Sequence, residues 1–138
     1  MTEAFVADCS IAVGWIHPAQ STPLTKKLLE DAQGGAVVHV PSLWHLEVAN
    51  GLLVAVRRKI LAENHRQIGL ALLGQLRVEV DQETSRIAFS TISELAAQRS
   101  LTVYDAAYLE LARRKSLPLG SRDEPLREAA KKSGVRLL

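Results

Sequence analysis

Cysteine occurs once in this chain, at Cys9, so the sequence can build neither a disulfide framework nor a cysteine-rich structural zinc site. That usage suits a reducing compartment, and the expected location is the cytoplasm. No basic segment leads into the short apolar run near the N-terminus, which Glu3 and Asp8 flank instead, so it does not read as a signal peptide. The longest weakly charged apolar stretch, Leu46 to Val56, contains Glu47 and Asn50 and is too short to span a bilayer; no membrane partner is expected. Familiar catalytic patterns are missing too. His17, His39, His45 and His65 show no HExxH spacing, and there is no GxSxG elbow, GxxxxGK[ST] loop or strand-borne GxGxxG. Cys9 has no evident base beside it and reads as a small core residue rather than a nucleophile.

What is present is an ordinary globular composition, 47% apolar and 23% charged over 138 residues, enough for one domain with a substantial core. The net charge of +2 is too small to imply nucleic-acid binding by itself. The basic residues do gather, in Arg57-Arg58-Lys59, Arg113-Arg114-Lys115 and Lys131-Lys132. Near helix ends such runs stabilise C-termini; the other use for them is phosphate contact.

Periodicity and punctuation predict a strand over Ala4 to Ala7, a short helix Ile11 to Ile16 stopped by Pro18, and a helix Thr22 to Ala32 closed by Gly34-Gly35. A strand over Ala36 to Val40 follows. Pro41-Ser42 then opens a long helix to about Arg58, and another helix covers Ala62 to Leu73. Arg77 to Val80 reads as a strand, Thr84 to Gln98 and Val103 to Lys115 as helices, Leu117 to Gly120 as a weak strand. Glu124 to Lys132 is a helix, and the final GVRLL a short strand. Strands alternating with helices argue for a mainly parallel sheet of about five strands with helices on both faces. No repeat, low-complexity tract or linker interrupts residues 1–138, so no domain boundary is placed.

Against this background four carboxylates stand out: Asp8 in FVADCS, Glu47 in LWHLEVAN, Asp105 in VYDAAYLELA and Asp123 in PLGSRDEPL. A carboxylate beside buried apolar surface is costly unless it is paired or coordinates a metal, and no Lys or Arg falls within the stretches carrying the first three. Asp8 and Asp123 also suit helix N-caps, and Asp105 a helix N-terminus. In an open parallel sheet all four can reach the carboxyl rim, where ligands bind. Gathered there, their repulsion would favour capture of a divalent cation. Ser10 and Ser121 can orient a carboxylate, and Asn50 lies one turn beyond Glu47.

The motifs DCS, PSLWHLEVANGL, LTVYDAAYLELARR and LPLGSRDEPLREAA, in this order and spacing, resemble the PIN-domain ribonucleases, specifically the VapC-type toxins of bacterial toxin–antitoxin pairs. The resemblance covers essentially the whole chain. It implies a PIN-like three-layer α/β/α sandwich and places the family's acidic site on Asp8, Glu47, Asp105 and Asp123. Ser121 stands where the family commonly has Thr, and Gly120 where a small or β-branched side chain is more usual.

The resemblance further implies a Mg²⁺- or Mn²⁺-dependent endoribonuclease that acts as a homodimer and is held inactive by a VapB-like antitoxin lying across helices beside the site. Trp15 and Trp44 suit either that contact or the core. A different class of function, a non-catalytic RNA- or protein-binding module on the same fold, would gain little from concentrating negative charge near RNA. A receiver-like phosphoacceptor domain would need a lysine after a late strand, and Leu117 to Gly120 offers none.

Overall fold

Short parallel strands form the centre of the computed structural model, which describes residues 1–138. The strands are β1 (Ala4–Ala7), β2 (Val37–Val40), β3 (Val78–Val80) and β4 (Leu119–Gly120), in the order β3-β2-β1-β4. Phe5 lies opposite Val38, Val38 opposite Val78, and Ala7 opposite Gly120. Phe5, Val6 and Ala7 are wholly buried, as expected of a parallel strand covered on both faces.

The expected fifth strand is reduced to a single parallel bridge between Leu119 and Leu137. Two hydrogen bonds make it, Leu119 N to Arg136 O at 2.9 Å and Leu138 N to Leu119 O at 3.0 Å. The two residues of β4 have too little outward-facing backbone to template more.

The helices begin where the sequence provides caps. Asp8 caps α1 (Cys9–Ile16), its Oδ1 accepting from Ile11 N at 3.2 Å. A 3₁₀ turn, Pro18–Gln20, follows, and then α2 (Pro23–Gln33) with a reciprocal Thr22–Thr25 capping box. The next two are α3 (Trp44–Arg57) and α4 (Glu63–Leu73). α7 (Val103–Lys115) is capped by Thr102 and α8 (Glu124–Lys132) by Asp123.

The predicted helix Thr84 to Gln98 is divided. α5 (Thr84–Ile87) passes through a π turn, Ala88–Ile92, into α6 (Ser93–Arg99). The wider turn brings Ile87 and Ile92 to one face, where both pack with Ala106 and Ala107, and it leaves Phe89 fully exposed. Propensity carries no signal for that bulge; the packing of α7 selects it.

α1 packs with α2, α3 and α4, while α7 lies on β1 and packs with α6 and α8, completing an α/β/α sandwich. Trp44 is 2% exposed and belongs to the main core with Leu28, Val38, Leu52 and Tyr108, so it is not available to a partner. Trp15 is half-buried against the same core.

Candidate active site

Parallel pairing of β1 with β4 makes Asp8 and Ser121 leave the sheet side by side, with Asp8 N donating to Gly120 O at 3.2 Å. Two hydroxyls then fix the Asp8 carboxylate. Ser121 Oγ donates to Oδ2 at 2.5 Å and Ser10 Oγ to Oδ1 at 2.6 Å. Each hydroxyl also accepts a backbone N–H from the loop after β4, Ser121 Oγ from Asp123 at 3.0 Å and Ser10 Oγ from Arg122 at 2.8 Å. The exits of β1 and β4 are thereby joined in one network. Burial raises the Asp8 carboxyl above its usual range; the hydrogen bonds from Ser10, Ser121 and Ile11 oppose this, and the charge of Asp123 adds to it.

Gly120 is explained by the same corner. A Cβ there would lie 2.8 Å from Leu28 Cδ1, a core atom with little room to move.

Asp105 sits in the first turn of α7, where its backbone N–H donates to Thr102 Oγ1 at 3.1 Å. Burial raises its pKa, the charges of Asp123 and Asp8 raise it further, and a hydrogen bond with the Thr102 side chain opposes them. Asp123 caps α8 through Oδ2, which accepts from Leu126 N at 3.0 Å.

Glu47 lies in the first turn of α3. The Tyr108 hydroxyl donates to its Oε1 at 2.6 Å. Burial raises the Glu47 pKa, the Tyr108 bond opposes this, and Asp105 raises it again. Tyr108 is 1% exposed, and burial together with its bond to Glu47 drives its phenol upward. Asp105 and Tyr108 are one helical turn apart, so α7 presents both on one face. Tyr108 was not a predicted site residue; its spacing from Asp105 was the available signal.

Cys9 lies among these acids. Burial and then the charges of Glu47, Asp8 and Asp105 push its thiol up to about 12, so it stays protonated at neutral pH and is a poor nucleophile. Asn50 is exposed on α3 and bonds to none of the acids. The chain's ion pairs all lie elsewhere, among them Lys27–Asp31, Arg66–Glu63 and Arg86–Glu83. Asp8, Glu47, Asp105 and Asp123 therefore have no basic partner.

An all-oxygen donor set of this kind suits Mg²⁺ or Mn²⁺. No three His, Cys, Asp or Glu side chains are already gathered as direct ligands. A hard ion such as Mg²⁺ keeps several of its waters and does not need all its protein ligands preassembled.

Of the basic clusters, Arg114 has a structural task. Its guanidinium forks onto Asp81 at 2.7 and 3.1 Å and onto Glu110 at 2.9 and 3.0 Å, tying α7 to the residue after β3. Arg113 takes no carboxylate partner.

Solved structures show the same architecture. PAE2754 from Pyrobaculum aerophilum aligns with a TM-score of 0.65 at 20% identity, covering 99% of this chain and 92% of that one. VapBC2 from Rickettsia felis, bound to a DNA fragment from their promoter, aligns with a TM-score of 0.63 at 14% identity, covering 98% and 97%. FitAcB from Neisseria gonorrhoeae gives 0.60 at 16%, covering 97% and 96%. No curated protein is a significant match in sequence. The family model described as PIN domain matches residues 5–132, so the chain belongs to the PIN domain family.

Proposed function

We propose that this protein is a metal-dependent endoribonuclease, the toxin of a type II toxin–antitoxin pair, and that a VapB-like antitoxin inhibits it. The observation that carries this reading is Asp8, 4% exposed at the end of the central strand, held by two hydroxyls and coupled in charge to Asp105 and Asp123, with no ion pair to any of the three. A fold gains nothing in stability from such an arrangement unless a cation joins it.

Asp8 and Asp105, with Glu47 and Asp123, would hold Mg²⁺ or Mn²⁺. A bound ion of this kind supplies Lewis-acid stabilisation of charge on a phosphodiester and makes a nearby water more acidic. Ser10 and Ser121 keep Asp8 in one rotamer, so its free lone pairs point one way. Tyr108 donates to Glu47 Oε1 and leaves Oε2 open toward the ion and its waters.

Apolar surface beside these acids supports a protein partner. Leu46 is 76% exposed next to Glu47, and Tyr104 is 63% exposed next to Asp105. An antitoxin segment over the site and a second copy of this chain would use such surface. The likeness to the Rickettsia felis VapBC2 structure supports the antitoxin. A cytoplasmic location, where cellular RNA is met, is part of the proposal. No helix is long and apolar enough to cross a membrane.

The test is cleavage of total cellular RNA by purified protein with Mg²⁺ or Mn²⁺, with EDTA, and by the Asp105→Asn variant. Cleavage in the first case alone supports the proposal. Cleavage that survives both EDTA and the substitution overturns it.

A further inference from the structure

Arg122 is the basic residue built into the loop that carries the acids, and its side chain is handled unusually. Its backbone N–H is part of the Asp8 network through Ser10 Oγ. Its neighbours in sequence include Asp123 and Glu124, yet the guanidinium pairs with neither. Instead Nη1 donates to Gln20 Oε1 at 2.7 Å, in the 3₁₀ turn after α1. Both residues are only half-buried. A neutral amide fixes the arm without cancelling its charge, and most of the guanidinium's planar array of N–H donors stays free.

We infer that Arg122, aimed by Gln20, holds a backbone phosphate of the nucleic-acid substrate next to the one that is cut. This rests on the nuclease reading and names a substrate-binding residue for it. The guanidinium fork matches phosphate oxygens in a bidentate manner. A fixed positive charge there offsets the repulsion that the acid cluster exerts on an approaching polyanion. The charge is drawn away from Asp8 and Asp123 toward Gln20, so it does not compete for the acids. The clamp is generic to phosphate and fixes strand register rather than base identity.

The test is binding of a fluorescein-labelled single-stranded RNA of mixed sequence, in Mg²⁺, by Asp105→Asn protein across a range of potassium chloride concentrations. Adding Arg122→Ala should weaken binding about tenfold and flatten the log–log salt slope by about 0.7, the share of one single-strand phosphate contact. Arg122→Lys should recover most of the slope. Gln20→Glu keeps the hydrogen bond while neutralising the charge, so it should act nearly as strongly as Arg122→Ala with an unchanged melting temperature. In active protein, Arg122→Ala should raise KM more than it lowers kcat. An unchanged salt slope in Arg122→Ala, or normal binding by Gln20→Glu, would overturn the inference and leave Arg122 a tether between two loops. Absence of cleavage by wild-type protein with every divalent metal would instead remove the nuclease reading, while the salt slope still decides the phosphate contact.

Discussion

The Ser121 hydroxyl donates to Asp8 Oδ2 at 2.5 Å, joining residues 113 positions apart in sequence. Through Asp123 N the same oxygen sets the start of α8, so one hydroxyl serves two acids. Ser121→Ala should therefore destabilise the protein by about 1–3 kcal/mol, the usual cost of leaving a buried polar group short of a partner. It should also raise the Asp8 pKa further and reduce cleavage. Urea unfolding and RNA cleavage measured together check it. Loss of neither would show that the bond is incidental.

Asp105 and Asp8 should respond differently to the isosteric amide. The Asp105 side chain has only Thr102 as a hydrogen-bond partner, so Asp105→Asn removes repulsion from Asp8 and Asp123 at little hydrogen-bonding cost. Stability should hold or rise while cleavage and toxicity fall greatly. Asp8 accepts from Ser10, Ser121 and Ile11, and Asp8→Asn replaces one of those acceptors by a donor. Its stability should gain less, or drop. A melt in which Asp105→Asn is clearly the weaker of the two would contradict this.

Tyr108→Phe tests the positioning of Glu47. The hydroxyl is lost while the buried ring remains, so stability should change by about 1 kcal/mol. Cleavage should fall by a larger factor, and Tyr108→Phe should add little in a Glu47→Gln background, because both changes remove one interaction. Fully additive losses would separate Tyr108 from Glu47.

The pH dependence of the metal-free protein has a definite sign. Asp8, Glu47 and Asp105 have folded-state pKa values above their unfolded ones, so their favourable contribution is complete below the unfolded values and is lost as pH rises through the folded ones. In EDTA these acids should make the protein more stable as pH falls from neutrality toward their unfolded-state values. His39, lowered by burial, opposes this as it takes up a proton below its ordinary value. Mg²⁺ should flatten the acids' share, as should Asp105→Asn. Melting curves at several pH values decide it; identical pH slopes for wild type and Asp105→Asn in EDTA would refute the coupling.

Arg114 predicts a stability defect rather than a binding defect. Asp81 and Glu110 are 8% and 6% exposed, and Arg114→Ala leaves both carboxylates without their cation. The expected loss is about 3 kcal/mol, at the low end for a broken buried pair because Arg114 itself is partly exposed. Arg113→Glu, which breaks no ion pair, is the variant that reports on RNA. Equal and small effects of the two on melting would count against the assignment.

Elements whose causes are local were legible in the chain before it folded. Asp8, Thr22 and Asp123 are side chains that cap the helices they precede, and Pro18 and Gly34-Gly35 stop helices within reach of their own backbone. The alternation of strands and helices pointed to a parallel sheet, and with it to a rim that the ends of β1 and β4 share. The remaining features depend on neighbours distant in the chain and were set by packing. The two-residue length of β4 left the fifth strand as one bridge. Packing of Ala106 and Ala107 against Ile92 set the π turn, and Leu28 left room only for glycine at residue 120. The core took Trp44, and Arg114 went to Asp81 rather than to a ligand. The partners of the acids belong to the same class. Ser121 reaches Asp8, Tyr108 reaches Glu47 and Gln20 draws off Arg122 only once the sheet has brought remote segments together. A carboxylate can be read as costly from its local surroundings, but the groups that hold and aim it are chosen by the fold.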